Sequence, residues 1–236
     1  MTTYLFALSP STFWCQSGSK IIFLNLEHDR YSGITVEDAS CLSGLVRGWP
    51  VGDALQETSS TKGMGIAQAL FKKGLLVEGA SAGGDSAQVD VPVATGSITG
   101  TPELGEAGIG TLCAVLPNFI AARYLLKRKK LLALIGRAQA NKAHLTTTVQ
   151  AFAGEHAGQV LSNYQRIRPI LLSSHNECVL ESFTVASLLA SHGIPATCVI
   201  GVRTDPWGAH CWIQHESIVL NDTVDHVSRY TPIFSV

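Results

Sequence analysis

The chain has almost no net charge: 17 Lys and Arg against 18 Asp and Glu leave −1 at pH 7, with a pI near 6.7. Without a basic excess there is no electrostatic footprint for nucleic acid or an anionic membrane, so neither is expected as a partner. No apolar run reaches the length of a membrane-spanning helix. The opening MTTYLFALSPSTFW also lacks the basic stretch that precedes a secretory signal core, which points to a cytoplasmic address. The six cysteines (Cys15, Cys41, Cys113, Cys178, Cys198, Cys211) form no CxxC pair, so no zinc signature is present and a reducing compartment fits. No GxxxxGK[ST] phosphate loop and no internal repeat occur, and the sequence shows no bound cofactor or metal.

What is present is apolar. Hydrophobic residues make up 46% of the 236 positions and charged residues 15%, enough to build real cores and to exclude a disordered chain. Short β-rich runs at 4–8, 13–16, 20–26 and 30–34, separated by Ser-Pro, Ser-Gly and His-Asp, predict a small antiparallel meander. Helices are expected at 35–46, 50–57 and 63–73. From 81 to 110 the chain turns rich in Gly, Ala, Ser, Thr and Pro and reads as a flexible linker, which separates domains at 1–80 and 111–236. The second unit opens with helical patterns at 112–140, broken at Pro117 and Gly136, and at 144–157. The basic run Lys127 to Lys130 reads as a solvated helix face.

The segment 173–222 carries the chemistry. Ser174 or Asn176 can cap a helix that ends at Gly193 and Pro195, and either cap leaves Cys178 in the first turn. Val179, Phe183, Ala186 and Ala190 form the stripe that packs this helix on a core. Unpaired N–H groups at a helix start stabilise a thiolate, and the same amides can bind the oxyanion of a tetrahedral intermediate. Candidates for a second oxyanion donor are Asn176 and Trp212. Strands are expected at 196–202, 209–214 and 218–222. If 215–217 is a three-residue loop, Gln214 pairs with Ile218 and His210 falls opposite Asp222; a two-residue loop turns Asp222 to the other face. Asp222 then orients the imidazole, with Asp225 in reserve. Taken singly, a packed cysteine, a structural histidine and a turn aspartate are the ordinary interpretations. The order Cys, His, Asp on successive elements favours a catalytic set. Cys198 and Cys211 are expected to be inert, and His175, His192 and His215 to lie on the surface.

The stretches ECVLESFTVASLLASHGIPATCVIGVR and GAHCWIQHESIVLND resemble the transglutaminase-like leader peptidases of lasso-peptide biosynthesis, the B proteins of that system. Cys178, His210 and Asp222 match the family's Cys, His and Asp one by one, with gaps of 32 and 12 residues. The lines IIFLNLEHDRYSGIT and ALFKKGLLVEG are similar to the small recognition domain that accompanies these peptidases, here in fused form. The resemblance implies an α+β chain: a winged-helix-like peptide-recognition domain of β-meander and three helices, then a transglutaminase- or papain-like cysteine protease domain of helices on an antiparallel sheet. It implies binding of a precursor's leader peptide, cleavage at the leader–core junction, a partner cyclase resembling asparagine synthetase, and a requirement for ATP. An extended leader can add to the exposed edge formed by Arg30, Tyr31, Ser32, Gly33 and Ile34, with Ala67, Leu70 and Phe71 of the third helix as the other wall. A DNA-binding winged helix is the competing use of that layout, but the third helix offers only Lys72 and Lys73 near its end. A transglutaminase-like acyltransferase and a non-catalytic peptide-binding scaffold are the alternative functions.

Overall fold

A computed structural model of the protein describes residues 4–49, 60–79, 89–98, 109–128, 130–146, 154–172 and 177–236. The chain divides into two compact units, residues 1–90 with 204–206, and 91–203 with 207–236.

In the first unit, β2 (Thr12–Ser17), β3 (Lys20–Asn25) and β4 (Arg30–Thr35) form the antiparallel meander, in the order β2-β3-β4. The alternating burial of β2 and the nearly continuous burial of β3 identify β3 as the central strand. The first run of the chain does not join this sheet: β1 (Phe6–Leu8) pairs antiparallel with β5 (Leu76–Glu78). All three β1 residues are buried, so the strand needs cover on both faces that an edge of the meander cannot give. The helix expected at 35–46 is one short turn, α1 (Val36–Ser40), capped by Thr35, whose hydroxyl accepts from the Asp38 N–H at 3.1 Å. The helix expected at 50–57 lies outside the described residues. The third is present as α2 (Ser60–Lys72). Gly63 lets α2 approach the Cys41 carbonyl and Leu45 so closely that a Cβ would collide with both. Trp14, Phe23 and Trp49 stack in the core, and the Trp49 indole N–H donates to the Ala39 carbonyl at 2.7 Å.

The second unit is built around one helix. α3 (Ile109–Lys127), α4 (Leu131–Thr146) and α5 (Gly154–Leu171) all pack on α6 (Cys178–Ser191), whose remaining side meets the sheet at β8 (Trp207–His215). Enclosure from every side explains why the stripe read from sequence was too narrow: Leu180, Ser182, Thr184, Val185, Leu188 and Leu189 are buried as well as Phe183. Pro117 does not break α3. The helix runs through it because one missing N–H costs a single bond while Val115, Phe119 and Ala122 stay buried. α3 ends at Lys127 instead, and the Lys130 N–H reaches back to the Leu125 carbonyl at 2.9 Å.

The sheet has the order β10-β7-β8-β9-β6, with β7 (Thr197–Thr204), β9 (Ile218–Val219), β10 (Thr231–Ser235) and β6 (Gly96–Ser97). The expectation of a purely antiparallel sheet is corrected here, because β6 pairs parallel to β9. The same strand changes the boundary of the linker. Residues 91–98 fall inside the 81–110 stretch yet belong to the second unit, where Val91 and Ala94 pack on Val199, Trp212, Val219 and Val227. Small residues there permit close sheet pairing as readily as flexibility. Among the described residues no helix is long and apolar enough to cross a membrane.

Candidate active site

Cys178 is the first residue of α6. The caps expected from Ser174 or Asn176 lie outside the described residues. Glu177 occupies the N-cap position with no side-chain cap bond, so the helix start presents backbone N–H groups rather than a capping oxygen. His210 comes from β8, and Asp222 from the bend between β9 and a short helix, α7 (Val224–Val227).

The hairpin register differs from the one anticipated. Gln214 pairs with Val219 and His215 with Ile218, which leaves a two-residue loop at 216–217 with Glu216 at φ 48°. His210 and Asp222 meet nonetheless, because the ladder ends at β9 and the chain bends at 220–222. Asn221 makes that departure possible: its Oδ1 accepts the Ile213 N–H at 2.7 Å in place of a strand partner, and its Nδ2 donates to the Ser182 hydroxyl at 3.1 Å. Ser182 in turn donates to the Cys211 carbonyl at 2.9 Å. A buried hydrogen-bonded chain thus ties the helix carrying Cys178 to the strand carrying His210 and the bend carrying Asp222.

His210 Nε2 donates to Asp222 Oδ2 at 2.6 Å, and both side chains are less than a fifth exposed, at 15% and 17%. With Nε2 so engaged, Nδ1 is the ring nitrogen left for Cys178, which lines the same cleft. Burial pushes the Cys178 thiol up. The His210 bond, backbone bonds from Cys211 and Val179 and the imidazole charge outweigh burial and bring it below its ordinary value. Burial likewise disfavours a charged His210, but the bonds to Asp222 and Cys178 raise it from 6.5 to about 9. Asp222, pushed up by burial, is held below the usual carboxylate range by His210, His226 and the Thr223 N–H. These directions together describe a thiolate–imidazolium pair backed by a carboxylate.

The other thiols contrast with it. Burial pushes Cys15 and Cys198 up to about 12 and Cys211 well above its ordinary value. Cys178 opens instead on a cleft of about 480 Å³, whose polar wall includes Arg168, Glu181, Asn221 and Tyr230.

Residues 118–235, half of the chain, match the family model described as the transglutaminase-like superfamily. The chain belongs to the transglutaminase-like superfamily. No curated protein and no solved structure matches it.

Three residues of this transglutaminase-like domain escaped the sequence. Arg168 grips Glu181 through Nε and Nη2 at 2.6 and 2.9 Å, one turn along α6 from Cys178. The third is His226, whose Nδ1 lies 2.8 Å from the same Asp222 Oδ2. Asp222 and His226 stand at an i,i+4 spacing that the Thr223 cap folds into contact. Asp225 sits exposed on α7, while Asp222 holds the bond to His210. Trp212 is not free to serve an oxyanion, since its Nε1–H donates to Gln214 at 2.8 Å; Asn176 lies outside the described residues. His192 is exposed and His215 partly so, whereas His175 lies outside the described residues.

His210, Asp222 and His226 are the described residues that combine three metal-type donors. Their N···O separations of 2.6 and 2.8 Å are those of charge-assisted hydrogen bonds. Ligands around a tetrahedral zinc stand about 3.3 Å apart, so the arrangement fits proton sharing rather than a metal.

In the first unit, β4 is an edge of its sheet, with Arg30 and Gly33 exposed and Tyr31, Ser32 and Ile34 partly so. The opposite wall is corrected. Ala67 and Leu70 are buried at 0% and 2% in the core, because the hydrophobic stripe of α2 has to face its own sheet. Phe71 is exposed, its ring tilted against Phe6 at 6.0 Å.

Proposed function

We propose that the protein is a leader peptidase of lasso-peptide maturation: the first unit captures the leader segment of a precursor and Cys178 cleaves at the leader–core junction. The observation that carries the catalytic half is the His210–Asp222 bond at 2.6 Å in the same cleft as Cys178, the first residue of α6, within a transglutaminase-like domain. Cys178 Sγ attacks the scissile carbonyl carbon and forms a thioester. His210 transfers its Nδ1 proton to the leaving amine, so the core peptide departs with a free amino terminus. Water, deprotonated by the now neutral His210, attacks the thioester and releases the leader as a carboxylate, which returns thiolate and imidazolium. Backbone N–H groups at the start of α6 are suited to the tetrahedral oxyanion.

The recognition half is supported by the open β4 edge with Arg30, Tyr31, Ser32, Gly33 and Ile34 along it; Phe71 is an exposed apolar ring of the same unit. Joining both units in one chain raises the local concentration of the scissile bond. The resemblance extends the proposal to a cyclase resembling asparagine synthetase as the acceptor of the freed core.

The test is incubation of purified protein with a synthetic lasso precursor, read by mass spectrometry. Hydrolysis yields a leader ending in a free carboxylate, whereas acyl transfer to an added amine yields an amide and favours the acyltransferase alternative. Cys178→Ala is expected to bind the leader without cutting it, and cutting by the pure variant would refute the assignment. Arg30→Glu with Phe71→Glu is expected to weaken leader binding at least tenfold while Cys178 keeps its reactivity; unchanged affinity would refute the edge-strand docking.

A further inference from the structure

We propose that His226 is a positioning residue for this site: donating from Nδ1, it clamps Asp222 so that Asp222 in turn sets the ring of His210 toward Cys178. The inference rests on the assignment above of Cys178, His210 and Asp222 as a reactive set, and adds a fourth side chain to it.

Asp222 accepts three N–H groups. Oδ1 takes the Thr223 backbone N–H at 2.7 Å, and Oδ2 takes His210 Nε2 at 2.6 Å and His226 Nδ1 at 2.8 Å. One donor on a carboxylate leaves it free to rotate, whereas three from different directions fix its plane. Fixing matters here because Asp222 stands in a bend outside the strand ladder and no strand neighbour holds it. His226 is placed for the task by α7. The Thr223 hydroxyl accepts the His226 backbone N–H at 3.3 Å, and the i,i+4 spacing turns the ring back onto Asp222.

The ring centres of His210 and His226 are 4.6 Å apart, and Tyr230 walls both, at 5.2 and 5.5 Å. The bond to Asp222 Oδ2 sets which ring nitrogen of His226 faces the carboxylate. Two nearby cations are engaged elsewhere: Arg168 grips Glu181, and Arg203 lies over the Tyr230 ring at 5.1 Å. Asp225 and Arg229 flank His226 in sequence.

The experiment uses the full chain. In the wild type, nitrogen-15 spectra at pH 8 are expected to show His226 carrying a proton on Nδ1; a ring protonated on Nε2 alone would overturn the proposal whatever the variants do. The rate of Cys178 alkylation by iodoacetamide at pH 7.5, mapped by mass spectrometry, is then compared across variants. His226→Leu removes the donor at similar size and is expected to slow labelling about tenfold. His226→Asn carries an amide N–H close to the Nδ1 position and is expected to recover most of that loss. Equal losses in both variants, or none in either, would overturn the positioning role. Wild-type Cys178 reacting no faster than the exposed Cys113 would sink the reactive set itself, a failure that the tautomer measurement distinguishes from failure of the clamp.

Discussion

Replacing Asp222 by Asn removes the negative charge behind His210 and leaves size and shape nearly unchanged. His210 is raised to about 9 by two hydrogen-bonded partners, of which Asp222 is the first and Cys178 the second. A hydrogen bond to a charged group contributes about 1.5–3 kcal/mol, and 1.4 kcal/mol corresponds to one pKa unit. With both side chains less than a fifth exposed, solvent screens little of that. Asp222→Asn is therefore expected to bring the His210 midpoint down by about one to two pH units. The sign follows from the partner: losing an anion disfavours the imidazolium, so the proton leaves at lower pH. At pH 8 the imidazolium fraction then falls about two- to tenfold. Carbon-13 titration of histidine-labelled protein reads the midpoint directly. A variant whose His210 still titrates near 9 would refute the claim that Asp222 sustains its charge.

Peptidase activity is expected to need Cys178 ionised and His210 protonated, so it should rise as the pH passes the lowered Cys178 value and fall as it passes about 9; a rate still climbing above pH 10 would contradict the assignment. Arg168→Met strands the buried Glu181 carboxylate and is expected to cost about 3–5 kcal/mol of stability in urea unfolding, with Glu181→Gln on the same background recovering part of it. Gly63→Ala places a methyl group against the Cys41 carbonyl and is expected to destabilise the first unit by about 1–3 kcal/mol, read as a lower Tm; an unchanged Tm would show that α2 can move aside.

The sequence made β2, β3 and β4 and their meander legible, because alternation and turn residues are local signals, whereas the pairing of β1 with β5 is a long-range contact that it did not show. It also placed Cys178 at a helix start and predicted that His210 and Asp222 would meet. The reason for their meeting was not legible. It rests on Asn221 substituting for a strand partner and on a bend after Val219, with Asn221 held by Ile213 across the hairpin and by Ser182, 39 residues away in the chain. Glu181 reads as a solvated helix residue until Arg168 is brought beside it by a helix that the sequence pattern ended at 157 rather than at Leu171. His226 was hidden by the same kind of error, since 218–222 was read as a strand running straight to its end. Ala67 and Leu70 show the limit of reading a groove from spacing: the periodic apolar face of α2 that marked a wall is the face its own core requires.

Competitive labelling of all six thiols in the folded protein at pH 7 with substoichiometric iodoacetamide, followed by peptide mapping, tests the central claim most directly. Cys178 is expected to be modified first, ahead of the more accessible Cys113, and to lose that lead in His210→Gln. Modification of Cys113 ahead of Cys178 in the wild type, or a lead that survives the loss of His210, would contradict it.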